Sequence, residues 1–336
     1  MKIRVLPCQP HSIVFGGFEV QMLSSIKAAC GIGVDVAPLD VWNREEQFDT
    51  LHVWGLEDSH VNSIIWAHRG GKKIVMSALL PQLSLKTAVR YVVASILGYK
   101  RARRKILSLL DHIVVVNQEQ ARTARWLLGI DINKISVIPN VIDNIYFENN
   151  NPVVDSGTSL NFGLKDYFLC VGNICQRKNQ LLLAQAIIAE KGSLVIIGKI
   201  LPGDEEYGEM LINLAKLNAN IKLVFGLAPH SAMLRDAYSK CVGFALLSDI
   251  ENQPISCLEA AAMDKPLLLS DKPWSKQSLY AGACLVKSSS LKAIRYGIRA
   301  IYKDPERYKV SQQELNKCRE HTVGAAYARV YNKIHA

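Results

Sequence analysis

The chain has 336 residues, room for two domains of about 150 residues each, and its 49% hydrophobic and 21% charged content excludes a disordered or fibrous chain. No apolar run approaches the ~20 residues that span a bilayer, and residues 1–7 read as a β-strand rather than a secretory signal. The formal net charge of +10 is local: residues 59–110 hold no Asp or Glu and ten Lys or Arg, so the remaining thirty basic residues balance thirty acidic ones.

In chain order, short apolar runs at 3–6, 34–38, 50–54, 73–76, 112–116 and 135–138 predict strands. Helical patterns lie between them at 18–30, 62–68, 84–110 and 118–128, closed by Gly31, Gly70-Gly71 and Gly129. Asn, Ser, Gly and Pro then cluster over 149–158, the best candidate for a linker. The alternation restarts with strands at 167–171, 194–197, 222–225, 243–247 and 266–269, and helices at 179–189, 207–217, 230–238, 255–262, 291–303 and from 305 onward. Strand and helix in alternation predict parallel sheets covered by helices, here two doubly wound α/β domains in tandem, over 1–150 and 151–317. A C-terminal helix at about 318–336 is a candidate to pack back on the first domain. Eight cysteines without a CxxC pair give no zinc pattern. Most fall in apolar runs, as buried free thiols of a reducing compartment would, and a cytoplasmic protein is expected.

Ligands of such sheets bind beyond the C-terminal ends of the strands, so the loops there carry the functional reading. The first contains Gly16-Gly17 ahead of a helix, which admits close backbone approach and offers a helix N-terminus to an anion. GxGxxG is absent, which argues against a dinucleotide site. The second, Gly172-Asn173 through Arg177-Lys178-Asn179, follows a strand and opens a helix. A planar Arg fork and a Lys point charge beside a helix N-terminus suit a diphosphate, although an exposed basic turn would look the same. The third runs from Ser248 through Glu251, Asn252, Gln253, Pro254 and Ile255 to Glu259. Pro254 or Ile255 starts a helix, and Glu259 falls in its apolar stretch, where a carboxylate is usually paired or ligand-bound.

Together and in this order, these loops resemble those of the retaining glycosyltransferases of family 4, with the GT-B fold, over nearly the whole chain. Glu251 and Glu259 resemble that family's E-x7-E motif, followed by Ala260-Ala261-Ala262 and Lys265-Pro266. Residues 172–179 are similar to its diphosphate loop, and Ile138-Pro139-Asn140-Val141-Ile142-Asp143 to the segment closing its N-terminal domain. The resemblance implies two Rossmann-like domains facing across a cleft, the first for an acceptor and the second for a nucleotide-sugar donor, GDP- or UDP-linked. It further implies that Arg177 and Lys178 bind the donor diphosphate, that Glu251 holds a hydroxyl of the donor sugar, and that Glu259 accepts from the ribose. Asn252, Gln253, Pro254 and Ile255 would meet phosphate or sugar, Gly17 with Gly16 would close over the phosphates, and Gly198 and Leu227 would flank the base. No cofactor and no metal are expected, protein cations replacing the metal.

Two positions depart from the pattern. Asn173 stands where the family often has Arg, and the Arg177-Lys178-Asn179 form is similar to that of a branch containing many mannosyltransferases. The segment Ser77-Ala78-Leu79-Leu80-Pro81 lacks the His often found after the fourth strand. In the basic segment, Lys100, Arg101, Arg103, Arg104 and Lys105 are densest, next to an apolar helical stretch, a pattern suited to anionic lipid. The segment is poor in aromatic residues for stacking, and no nucleic-acid partner is expected. The expectation is a retaining hexosyltransferase, with mannosyl transfer among the candidates, acting on a saccharide or lipid-linked acceptor of a cell-surface polysaccharide or glycan at the inner face of the membrane. The alternatives are a catalytically weak GT-B subunit assisting a partner enzyme and, behind it, a nucleotide-sugar epimerase of similar fold.

Overall fold

Runs of Val, Ile and Leu set central strands that are buried on both faces, and most strands are followed by a helix that returns the chain for the next parallel strand. The computed structural model describes residues 1–13, 15–83, 87, 89, 93, 101–148 and 162–336. The predicted linker at 149–158, Lys100 and most of the first two-thirds of the predicted 84–110 helix lie outside the described residues. Two compact units result: Met1–Val141 with Lys317–Ala336, and Ile142–Asn316.

The first unit holds a six-stranded parallel sheet of β1 (Lys2–Leu6), β2 (Asp35–Pro38), β3 (Thr50–Trp54), β4 (Lys73–Ser77), β5 (His112–Val115) and β6 (Ile135–Val137), in the order β2-β1-β3-β4-β5-β6. Alternate strand residues face opposite layers. Trp54, Val75 and Val114 pack with α1 (Gly17–Cys30) and the last helix, Glu320–His335. Leu51, Val53, Ile74, Met76, Ile113 and Val115 pack with α2 (Val61–Arg69), α3 (Arg101–Ser108) and α4 (Gln118–Arg122). The helix predicted at 118–128 changes pitch after Arg122 into a wider π-type turn, Thr123–Leu127, in which Leu128 N–H donates to Thr123 O at 3.2 Å.

His52 is buried between the sheet and the last helix. Its Nδ1 lies 2.8 Å from the Tyr331 hydroxyl and its Nε2 2.9 Å from Ser77 Oγ. Burial lowers its pKa to about 3, so the ring is neutral at neutral pH. Both nitrogens are occupied, and Ser77, the residue where the fourth strand ends, is one of the occupants.

The second unit carries β7 (Tyr167–Val171), β8 (Ser193–Ile197), β9 (Ile221–Val224), β10 (Gly243–Leu246), β11 (Leu267–Ser270) and β12 (Cys284–Val286), in the order β12-β11-β10-β7-β8-β9. Its helices are α5 (Gln180–Ala189), α6 (Glu205–Leu217), α7 (Ala232–Lys240), α8 (Ile255–Ala262), α9 (Leu291–Lys303) and the single turn α10 (Gln312–Leu315). Strand β12 is absent from the expected set. The helix expected from 305 onward is interrupted: a turn at Glu306–Tyr308, then α10, then a turn at Asn316–Cys318, before α11 (Glu320–His335). Lys309 interrupts it, its Nζ held 2.6 Å from both Asp264 and Glu306, and its neighbour Val310 is buried. Six of the eight cysteines are buried, Cys8 is half-buried and Cys30 exposed. No helix among the described residues is long and apolar enough to cross a membrane.

Candidate functional site

In the second unit the chain runs β7, β8, β9 in one direction and returns to place β10 on the other side of β7. At such a reversal the loops after the two central strands diverge and leave a crevice at the C-terminal edge. Those loops here are 172–179 after β7 and 247–254 after β10.

The first loop is built on glycine. Gly172 has φ +142°, and a Cβ there would lie 2.4 Å from Lys178 Nζ. A Cβ on Gly198, after β8, would lie 2.0 Å from the Gly172 carbonyl oxygen. A side chain at Gly198 would push the loops apart, and one at Gly172 would be strained at that φ and displace the Lys178 ammonium. The buried Gln180 then fastens the turn, its Nε2 donating to Asn173 O at 2.8 Å and its Oε1 accepting from Cys175 N–H at 3.4 Å. Residues Gln176–Lys178 form one 3-10 turn, and Asn179 reverses direction at φ +54° before α5 begins. Its Nδ2 donates to Leu247 O at 2.9 Å, which ties this loop to the end of β10.

The two loops meet around three charged side chains. Arg177 Nη1 donates to Glu251 Oε1 at 2.9 Å, to Ser248 Oγ at 3.1 Å and to the Ile250 carbonyl. Lys178 Nζ stands 3.6 Å from the same Glu251 oxygen and is only 11% exposed. Asp249 N–H donates to Arg177 O at 2.9 Å. Two cations thus share one carboxylate, leaving net positive charge beside a glycine-lined backbone, an arrangement that can accept a polyanion with two adjacent phosphates.

Downstream, Gln277 holds the approach to α8. Its Nε2 donates to Asn252 O at 2.6 Å, and its Oε1 accepts from Gln253 Nε2 at 3.3 Å. Pro254 caps the helix and Ile255 opens it, so the first N–H groups of α8 face the loop. Glu259 lies one turn deeper, 5% exposed, with Oε2 accepting from the Tyr238 hydroxyl at 2.7 Å. Burial raises its pKa to about 7, against the hydrogen bond from Tyr238, which lowers it.

The structure brings Arg177, Lys178, Glu251, Gly172 and Gly198 together, with Asn173 in the same turn. Leu227 follows β9 in a half-buried turn. Glu259 instead turns its carboxylate toward α7, among Tyr238 and Tyr146. Gly16 and Gly17 belong to the first unit, where Glu19 Oε2 accepts from Gly16 N–H at 2.8 Å and the space beside Gly17 is open. Arg101, Arg103, Arg104 and Lys105 lie on α3, Arg103 being paired with Asp58 at 3.3 Å. Sequence reasoning placed Ser248 at the start of the third loop without a role and missed Gln277 and Tyr238: Gln277 stands in no motif, and Tyr238 looked like any core aromatic on a helix. Among the described residues, no group of three His, Cys, Asp or Glu could hold a metal ion.

Residues 158–317 match the model of the family glycosyl transferases group 1, so the second half of the chain carries a domain of that group. No curated protein matches the sequence. The whole chain superposes on solved structures of GT-B fold. A sucrose-phosphate synthase from Thermosynechococcus elongatus is 15% identical, covers 100% of this chain and 99% of its own, and has a TM-score of 0.74. Alr3699/HepE from Anabaena, solved in complex with UDP and glucose, is 13% identical, covers 99% and 100%, and has a TM-score of 0.71. A glycosyltransferase from Rickettsia africae is 14% identical, covers 99% and 98%, and has a TM-score of 0.70. The fold is GT-B.

Proposed function

We propose that this protein transfers a hexosyl group from a nucleotide-sugar donor to a saccharide acceptor with retention of configuration. The observation that carries the reading is the Arg177–Lys178–Glu251 cluster at the strand reversal of a group 1 domain. When the bond between the anomeric carbon and the diphosphate breaks, negative charge grows on the departing phosphate. Two cations already fixed beside it stabilise that charge without reorganising. They supply the role a metal would otherwise play, so the reaction in this reading needs none. Glu251 is displaced from the cations by the incoming phosphates and becomes free to accept from a sugar hydroxyl. The N-terminus of α8 adds peptide N–H donors, and Glu259, oriented by Tyr238, receives the ribose.

The relative solved with UDP and glucose supports a UDP-linked donor, with GDP-mannose as the competing case raised by Arg177-Lys178-Asn179. A lipid-linked acceptor at the cytoplasmic face of a membrane suits the basic α3. A second reading, a GT-B subunit that binds nucleotide but transfers poorly, is favoured by Asn173 and by the engagement of Ser77 with His52 where the family often has a His. Thermal shift against UDP-, GDP- and ADP-linked sugars tests the donor: one of them should raise the melting temperature well above the others. Proton NMR of the product then reads the anomeric configuration. Binding without transfer or donor hydrolysis would select the second reading, and no stabilisation by any nucleotide would reject both.

A further inference from the structure

The outer surface of one helix layer in the first unit has no role in the transfer chemistry. Helices α2 and α3, α4 and the turn Thr123–Leu127 all cover the same sheet face, because Ile64, Ile106, Ala121 and Ala124 enter one core cluster. Helix α1 and α11 cover the opposite face. On the outside of this layer, residues 61–69, 101–108 and 118–127 carry seven Arg or Lys and a single acid, Glu119. Arg69, Arg101, Arg104, Lys105, Arg122 and Arg125 are all exposed.

The same surface displays two tryptophans. Trp66 on α2 is 68% exposed and Trp126, past α4, is 67% exposed. Each has a guanidinium beside its ring: Arg69 lies 5.3 Å from the Trp66 centroid and Arg125 4.6 Å from that of Trp126. They occur on the segments either side of α3 in the order set by the sheet, α2 packing on α3, so a basic band runs between two aromatic posts. An exposed indole costs free energy in water. A bilayer interface is where an apolar ring with a polar edge, beside a cation, is at its most favourable, the ring at headgroup depth and the cation on the phosphates. Nucleic acid would use the charge but leaves two rings at the margins of the layer without a base to stack on.

We infer that this layer is a docking surface for an anionic phospholipid bilayer, with Trp66 and Trp126 as its interfacial anchors and Arg69, Arg122 and Arg125 adding to the α3 charge. The inference deepens the membrane side of the proposed function and rests on charge and exposure, not on the transfer reading. Vesicle binding is measured without donor or acceptor, so its failure leaves sugar transfer standing, and an inactive protein that still docks leaves this surface standing.

The experiment uses the full chain and vesicles of phosphatidylcholine with or without phosphatidylglycerol. The protein should sediment with the anionic vesicles, more weakly as salt rises, and much less with phosphatidylcholine alone. In a W42F background, which removes the third exposed tryptophan, emission should shift to the blue on binding. At about fivefold per basic residue, R69S/R122S/R125S should weaken partition on the order of a hundredfold. W66S/W126S keeps the charge and should lose about tenfold together with the blue shift. Should either variant fail to fold, the salt dependence and blue shift of the W42F protein decide the matter. A bound fraction indifferent to phosphatidylglycerol, or variants that sediment like the parent, would overturn the inference. So would duplex DNA bound as tightly as anionic vesicles, with emission unshifted by the vesicles.

Discussion

The two units solve the same topological problem and leave different things at its solution. Each sheet reverses direction once, between β1 and β3 in the first unit and between β7 and β10 in the second. In the first, buried His60 fills the reversal: its Nε2 lies 3.1 Å from Pro7 O, and its Nδ1 3.3 Å from Gly55 O, so one ring bridges the loops after both strands. In the second, the equivalent loops meet through Arg177, Lys178 and Glu251, partly open to solvent. The parallel topology creates a crevice in both places. Side chains decide whether it is closed by a structural ring or kept as a charged site.

Substituting the two reversals separates these roles. Lys178→Ala removes a cation aimed at the leaving phosphate and should lower kcat/KM by about 10²- to 10³-fold, with little change in melting temperature. His60→Ala empties a packed, hydrogen-bonded position and should cost roughly 1–3 kcal/mol of stability, with kcat/KM for a water-soluble acceptor close to the parent's. Equal kinetic losses in both variants would break the comparison and place chemistry in both crevices.

Glu251 sharpens the comparison with a smaller effect. Its carboxylate competes with incoming phosphates for two cations. Glu251→Gln should therefore bind a free nucleoside diphosphate about fivefold tighter, near 1 kcal/mol, while transfer falls for want of a charged acceptor for the sugar. Calorimetry with the diphosphate reads the first effect and steady-state kinetics the second. Weaker diphosphate binding would mean that Glu251 organises the cations rather than competing with them.

Which of these features could be read beforehand follows from how far apart their parts lie in the chain. The strands and most helices of both units were visible as local alternation, and the two loops of the second reversal as Gly172 through Asn179 and Ser248 through Glu259. The short β12 was not, nor was the broken stretch after Pro305, where Lys309 is held by Asp264, 45 positions away. Contacts between distant residues also bury Glu259, which accepts from Tyr238, and His52, which meets Tyr331, and that burial sets their protonation. The excess charge was legible as a run in residues 59–110. That Arg122, Arg125 and Trp126 extend the same surface required the sheet order, because only the fold puts α2, α3 and α4 in one layer.

The buried ionisable groups extend the comparison to pH. In the first unit His52 has its pKa lowered by burial to about 3, against about 6.5 unfolded. Between these values the unfolded chain holds the proton and the folded one does not, so its contribution is lost as pH falls from about 6.5. In the second unit Glu259 is raised by burial to about 7, against about 4.3 unfolded. Here the folded state holds the proton, and stability falls as pH rises from about 4.3 to 7. Glu259→Gln keeps an acceptor for the Tyr238 hydroxyl and removes the titration. The variant should gain a few degrees in melting temperature over the parent at pH 7 and none at about pH 4.5. His52 is unchanged in both proteins, so its acid-side loss cancels in the difference. A parent-to-variant difference independent of pH would mean that Glu259 stays ionised in the folded protein, compensated by groups other than Tyr238.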